Sequence, residues 1–176
     1  MRKVLFLFGI LEDTDVQWLG SIGKLVQLES GNIVIREGEP AAFVYLVIDG
    51  SCSVIVGGKR KVAELMPGEV VGEMSFVDSR PPSASVQAST RTLLLAIPRD
   101  LLQQRIESDA PFAARFYRAL AVFLATRLRA SVAQLGYGSP DASHAEPDEI
   151  DPDALERLST AGLRFDDLQR RLRGHA

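Results

Sequence analysis

Between residues 29 and 98 the chain is cut into short β-branched runs by Gly, Pro, Asn and Asp, and this texture constrains the fold more than any other feature. The runs are Ile33–Ile35, Phe43–Ile48, Ser53–Val56, Val62–Leu65, Val86–Ala88 and Leu93–Ile97. Short strands with turn signals at close intervals predict a small barrel or roll. Gly57-Gly58 reads as a tight hairpin turn. Helical texture flanks this region on both sides. Asp13-Thr14-Asp15 looks like a helix start, and Val16, Leu19, Ile22 and Val26 recur at helical spacing, which predicts a helix over 13–28. After Asp100, Leu101, Leu102 and Ile106 make a short helix that breaks near Ala110-Pro111. A long helix then runs from Phe112 to about Leu135. The expected fold class is α+β: a β-roll (a double-stranded β-helix, jelly-roll-like barrel) with an N-terminal helix and C-terminal helices, one of them long.

Chemistry concentrates in one stretch, Val71-Gly72-Glu73-Met74-Ser75-Phe76, followed after a spacer by Arg80-Pro81-Pro82-Ser83-Ala84-Ser85-Val86. A glycine lets backbone approach a ligand closely, and successive N–H groups at a helix start form a concave anion site. An acid beside such a site would repel a phosphate, so Glu73 suits a hydroxyl donor. An anion with a hydroxyl nearby is what a nucleotide presents.

These residues resemble the phosphate-binding cassette of the cyclic-nucleotide-binding domain family, whose pattern is roughly Gly-Glu-Leu-Ala-Leu, a spacer, then Arg-x-Ala-Thr-Val. The resemblance continues upstream through Ile35-Arg36-Glu37-Gly38-Glu39, Tyr45-Leu46-Val47-Ile48-Asp49-Gly50 and Leu65-Met66-Pro67-Gly68-Glu69, and covers roughly residues 12–135. Both the catabolite-activator-like and the protein kinase A regulatory-subunit-like rolls are of this kind. The resemblance implies a cyclic mononucleotide ligand, cyclic AMP or cyclic GMP, and no cofactor. It implies that Glu73 accepts a hydrogen bond from the ribose 2′-hydroxyl, and that Ser83 and Ser85 face the cyclic phosphate. The implied binding set is Val71, Gly72, Glu73, Met74, Ser75, Arg80, Ser83, Ala84 and Ser85. Ser131 joins it from the long helix, at the position that in the catabolite-activator branch contacts the base.

One position departs from the pattern. Laid on the family without gaps, the phosphate-binding arginine falls on Pro82, which has no donor. Losing a bidentate charge-assisted contact costs on the order of 2–3 kcal/mol, about a hundredfold in affinity. Three outcomes are open: Arg80 reaches in from two positions earlier, the pocket binds weakly, or it binds something else.

Composition narrows the alternatives. With 176 residues the chain can hold one domain of ordinary size plus extensions, and a net charge of −3 gives no general pull toward nucleic acid or membrane. Cys52 is the one cysteine, so no internal disulfide forms and a cytoplasmic home is expected. Met1-Arg2-Lys3 ahead of Val4–Phe8 looks superficially like an export signal, but the apolar run is short and Glu12-Asp13 follow at once. No segment reaches membrane-spanning length. The histidines, His144 and His175, lie in the tail, so a metal-dependent cupin-like site or a Cys/His or Ser/His nucleophile pair has no partner in the roll. Glu69 and Glu73 could in principle do acid–base work. Glu69, however, follows Pro67-Gly68 and reads as a turn residue. The chain is expected not to be an enzyme.

Four segments follow from this reading: an N-terminal helical part over 1–28, the roll over 29–99 with its cassette at 71–86, hinge and long helices over 100–135, and an acidic linker with a tail helix over 136–176. The long helix carries Tyr117, Leu120, Leu124, Leu128, Ser131 and Leu135 at spacings of three and four. Phe112, Phe116 and Phe123 widen that stripe beyond one packing surface, which predicts a homodimer through residues 112–135. Residues 137–176 hold five arginines against nine acids, −4, so DNA phosphate would be repelled, and no winged DNA-binding module is expected. In the tail, Leu155, Leu158, Leu163, Leu168 and Leu172 can settle on the chain's own body or on a partner. A short isolated helix is marginal in water, so docking of residues 152–172 on a partner subunit or an outside protein is expected. The functional expectation is a free-standing ligand-sensing adaptor. The alternative is a structural or interaction protein whose cassette has lost its ligand.

Overall fold

The computed structural model describes residues 5–134 and 152–173, and within helices it leaves a few side chains undescribed. Helices α1 (Leu5–Ile10) and α2 (Asp13–Ile22) lead into strands β1 (Lys24–Leu28), β2 (Ile33–Ile35), β3 (Phe43–Asp49), β4 (Cys52–Val56), β5 (Arg60–Leu65) and β6 (Val70–Val71). The short helix α3 (Glu73–Asp78) interrupts the strands before β7 (Ser85–Ala88) and β8 (Thr92–Pro98). Helices α4 (Arg99–Ser108), α5 (Ala110–Gln134) and α6 (Pro152–Arg173) follow. The strands form two antiparallel four-stranded sheets, ordered β1-β8-β3-β6 and β2-β7-β4-β5, that make the expected roll.

Alternation along β3 explains why the roll can carry helices. Val47 and half-buried Tyr45 point between the sheets, into a core with Ile35, Cys52, Leu65, Val71, Val86 and Leu94. Val44, Leu46 and Ile48 point the other way, into a second core shared with Leu95 and Ile97 of β8 and with the helices. Period-two geometry thus turns one apolar run into two buried faces.

Two boundaries differ from the sequence reading. The helix expected over 13–28 ends at Ile22 as α2, and residues 24–28 instead pair with β8, Val26 opposite Leu94. A Cβ on Gly23 would lie 2.5 Å from Leu95 Cδ1, so the glycine lets backbone turn against the sheet. Helical spacing through Val26 was outweighed by an open sheet edge able to satisfy five residues of backbone. Second, α6 does not stand apart: Ala161, Phe165 and Leu168 are buried in the helix-side core, and Phe8 and Phe165 ring centroids are 5.6 Å apart. Arg164 donates to the Phe8 and Leu11 carbonyls, where α1 ends, at 2.9 and 2.6 Å, a favourable place for a cation. Of the tail leucines expected to dock, Leu168 is buried on the chain's own body and Leu163 is exposed, while the side chains of Leu155 and Leu158 lie outside the described residues. Leu135 and the expected acidic linker up to residue 151 lie outside the described residues.

A buried ion cluster fixes α2 to α4 and α5. Asp15 is fully buried, and Arg115 of α5 grips it with Nε to Oδ2 at 2.7 Å and Nη2 to Oδ1 at 3.0 Å. Arg105 of α4 adds a longer contact at 3.5 Å while its guanidinium lies 4.4 Å from the Trp18 ring centre and 4.5 Å from that of Phe112. Burial pushes the Asp15 carboxyl up, but the Arg115 bond, the Glu12 N–H and the charges of Arg115 and Arg105 together hold it below the ordinary carboxylate value.

A depressed folded-state pKa contributes stability that is present above the unfolded carboxylate value and lost as pH falls through the folded one. Urea unfolding is therefore expected to show stability falling below about pH 4, and Asp15→Asn should both cost about 3 kcal/mol at neutral pH and flatten that acid limb. An unchanged acid limb in Asp15→Asn would refute the assignment.

Candidate functional site

The site starts where β6 stops. Val70 and Val71 are buried in the two cores, and Gly72 then turns the chain with φ 86°. A Cβ there would stand 3.2 Å from both the Phe43 carbonyl oxygen and Ile35 Cδ1, so glycine meets two demands, a left-handed backbone and a close approach. Glu73 opens α3 directly after this turn. Ser79, itself at φ 58°, ends the helix. The Arg80-Pro81-Pro82 loop then returns toward the roll, where the Pro82 carbonyl accepts the Gly38 N–H at 2.8 Å.

Arg99 holds the cassette from behind. From the first turn of α4 its Nη2 donates to the Ser75 carbonyl at 2.7 Å and its Nη1 to the Ala41 carbonyl at 3.0 Å, with the guanidinium 5.6 Å from the Phe76 ring centre. One side chain therefore ties α3, the loop before β3 and the hinge helix together.

In front of α3 lies a gap of about 100 Å³ between the turn at Gly72–Ser75, the Pro82–Ala84 segment and α5. Arg127 closes it from α5: its Nη1 donates to Glu73 Oε1 at 2.7 Å, and its guanidinium lies 5.4 Å from the Phe123 ring centre. Glu73 is only 2% exposed. Burial raises its pKa, and the Arg127 charge and hydrogen bond offset this only in part. The charged form thus costs stability, fully above the raised value, and the cost is relieved as pH falls through it.

Seven of the expected residues gather around this gap: Val71, Gly72, Glu73, Met74, Ser75, Ser83 and Ala84. Three do not line it. Arg80 is exposed, and its backbone N–H donates to Asp78 Oδ1 at 3.0 Å. Ser85 accepts the Glu37 N–H on its Oγ at 3.0 Å. Ser131, also exposed, donates to the Arg127 carbonyl at 3.0 Å, one helical turn away. Arg127 itself was missed, although a signal existed: four residues before Ser131, it shares that helical face. Among the described residues no group of three or more His, Cys, Asp and Glu could hold a metal, and no helix is long and apolar enough to cross a membrane.

Comparison with known proteins gives this geometry a family. Residues 25–109 match the cyclic nucleotide-binding domain model, a span containing both sheets and the whole cassette. The regulatory subunit of cAMP-dependent protein kinase from Schizosaccharomyces pombe is 38% identical over 71 residues, 40% of this chain and 17% of that protein. A cyclic nucleotide-binding domain from Methylobacillus flagellatus KT superposes with TM-score 0.67 at 25% identity, over 75% of this chain and 80% of that one. The Catabolite Activator Protein of Thermus thermophilus superposes with TM-score 0.62 at 26% identity, over 97% of this chain and 87% of that one. The matches span 17 to 57% of the length of the first curated relatives, less than two thirds of any of them. Residues 25–109 are the part of the chain that matches the cyclic nucleotide-binding domain family.

Proposed function

We propose that the chain is a regulatory module in which a cyclic mononucleotide, cyclic AMP or cyclic GMP, enters the cassette gap and changes how α5 sits on the roll. The observation that carries this reading is Glu73: a nearly fully buried carboxylate at the head of α3, beside the glycine turn and facing Arg127 of α5 across the gap. A buried acid with a raised pKa in a cleft is costly to keep, and such groups cluster at functional sites. The gap of about 100 Å³ is below the roughly 300–1,000 Å³ of ligand pockets. A nucleotide therefore has to displace the Arg127 contact or the helix that bears it, and its differential affinity for the two arrangements is the coupling free energy.

The rival reading is a structural or interaction protein on a cassette that no longer binds. Pro82 favours it, and so does the Glu73–Arg127 pair, which satisfies the acid without a ligand. In either case the proposed output is protein–protein rather than catalytic. The net charge of −3 disfavours DNA phosphate, and the lone, fully buried Cys52 suits a cytoplasmic protein.

Dimerisation belongs to the same proposal. On α5, Tyr117, Leu128 and Val132 are 42%, 65% and 40% exposed and fall on one helical stripe, opposite the buried Phe112, Phe116 and Phe123. A second copy of α5 across a two-fold axis is the proposed cover. With Ala161, Phe165 and Leu168 buried on the chain's own core, exposed Leu163 is the large apolar side chain that the described part of the tail offers an outside partner.

Two measurements test the proposal. Calorimetry is expected to show micromolar or weaker binding of cyclic AMP or cyclic GMP, and Pro82→Arg should tighten it about tenfold or more. Nanomolar binding by the native chain would refute the weak site, and no heat with either nucleotide at millimolar concentration would favour the rival. Light scattering at tens of micromolar should give a dimer that Leu128→Glu dissociates, since an uncompensated charge would enter the seam. A monomeric native chain would refute the seam.

A further inference from the structure

We infer that Arg127, on the long helix, is the cation that receives the anionic group of the ligand. This rests on the cassette reading above and adds to it the residue that completes the site. An anion leaving water needs charge-assisted donors in the pocket. The roll side offers no cation: Pro82 has no N–H, Ser83 and Ala84 are neutral, and exposed Arg80 does not line the gap. Among the described lining residues, Arg127 is the one cation, and it enters from the opposite wall.

Its surroundings suit the role. The guanidinium has five N–H donors in a fixed fork, of which one from Nη1 is given to Glu73 Oε1. Phe123 lies against it, and 26% exposure of its side chain leaves it partly desolvated, where its charge counts for more than on an open surface. A ligand bearing both a hydroxyl and an anionic oxygen can then share the pair, its hydroxyl donating to Glu73 and its anion accepting from Arg127. Two anions facing one cation leave the cluster one charge short of neutral. That deficit accounts for the weak binding expected of the native chain and for the gain expected from a second arginine at position 82.

The consequence is mechanical. A cation on the roll would hold the ligand whatever α5 did. A cation on α5 makes anion binding and helix position one event, so ligand affinity directly reports where α5 lies.

The test is a double-mutant cycle read by calorimetry with cyclic AMP on the full chain, using R127Q, P82R and the combination, with folding checked by thermal unfolding. R127Q is expected to weaken binding roughly thirtyfold or more, and R127K, which keeps the charge without the fork, should weaken it less. P82R should tighten binding about a hundredfold in the R127Q background against about tenfold in the native one, because only there is it the sole cation. If Arg127 merely steadied Glu73, P82R would give the same gain in both backgrounds, and that result overturns the inference. So does R127Q binding within threefold of native. A native chain that binds neither cyclic AMP nor cyclic GMP overturns the cassette reading itself, and this assignment falls with it.

Discussion

The pairing of β3 with β8 is the contact on which the rest of this structure depends. Leu46 lies opposite Leu95 and Val47 opposite Leu94, so each strand sends alternate residues to opposite faces. One face closes the interior of the roll, and the other is an apolar floor that has to be covered. Burial at roughly 25 cal/mol per Å² makes an uncovered floor of this kind expensive. Helices α1, α2, α4, α5 and α6 all take their place by covering it. The cassette hangs from the same pair, because β6 adds to the edge of β3 and Gly72 turns off its end.

Two buried acids on that scaffold are compensated to different degrees, and their pKa values shift in opposite directions. Asp15 is met by a bidentate arginine, a second arginine and a backbone N–H, and its pKa is lowered despite burial. Glu73 is met by one arginine and a single backbone hydrogen bond, and burial outweighs both. A fully compensated carboxylate stabilises the fold and has no reason to change partner. An incompletely compensated one favours whatever arrives with a better donor. The hinge helix α4 stands between these sites, since Arg105 touches the first cluster and Arg99 grips the Ser75 carbonyl behind the second.

Much of this was legible in the chain itself. Turn residues between β-branched runs specify strands of limited length, and their number specifies a closed roll. The order glycine, glutamate, short helix, proline-rich loop and serine is local, and the resemblance it carries implied the gathering of Gly72, Glu73, Ser75 and Ser83 at one gap. The boundaries were less legible. Val26 fits the helical period of Val16, Leu19 and Ile22, yet it belongs to β1, because the edge of β8 offers its backbone partners that periodicity does not register.

What the sequence determined by itself is therefore the roll and the local order of the cassette, carried by neighbours along the chain, while the resemblance added that Pro82 falls where the family pattern has arginine. Only the tertiary structure decided that Arg127 meets Glu73 across 54 residues and that Arg164 meets the end of α1 across 156. The physical reason is the same in each case. An apolar period tells which face of a helix is buried, but not which surface covers it. The partner of a long charged side chain is set by where packing leaves its tip.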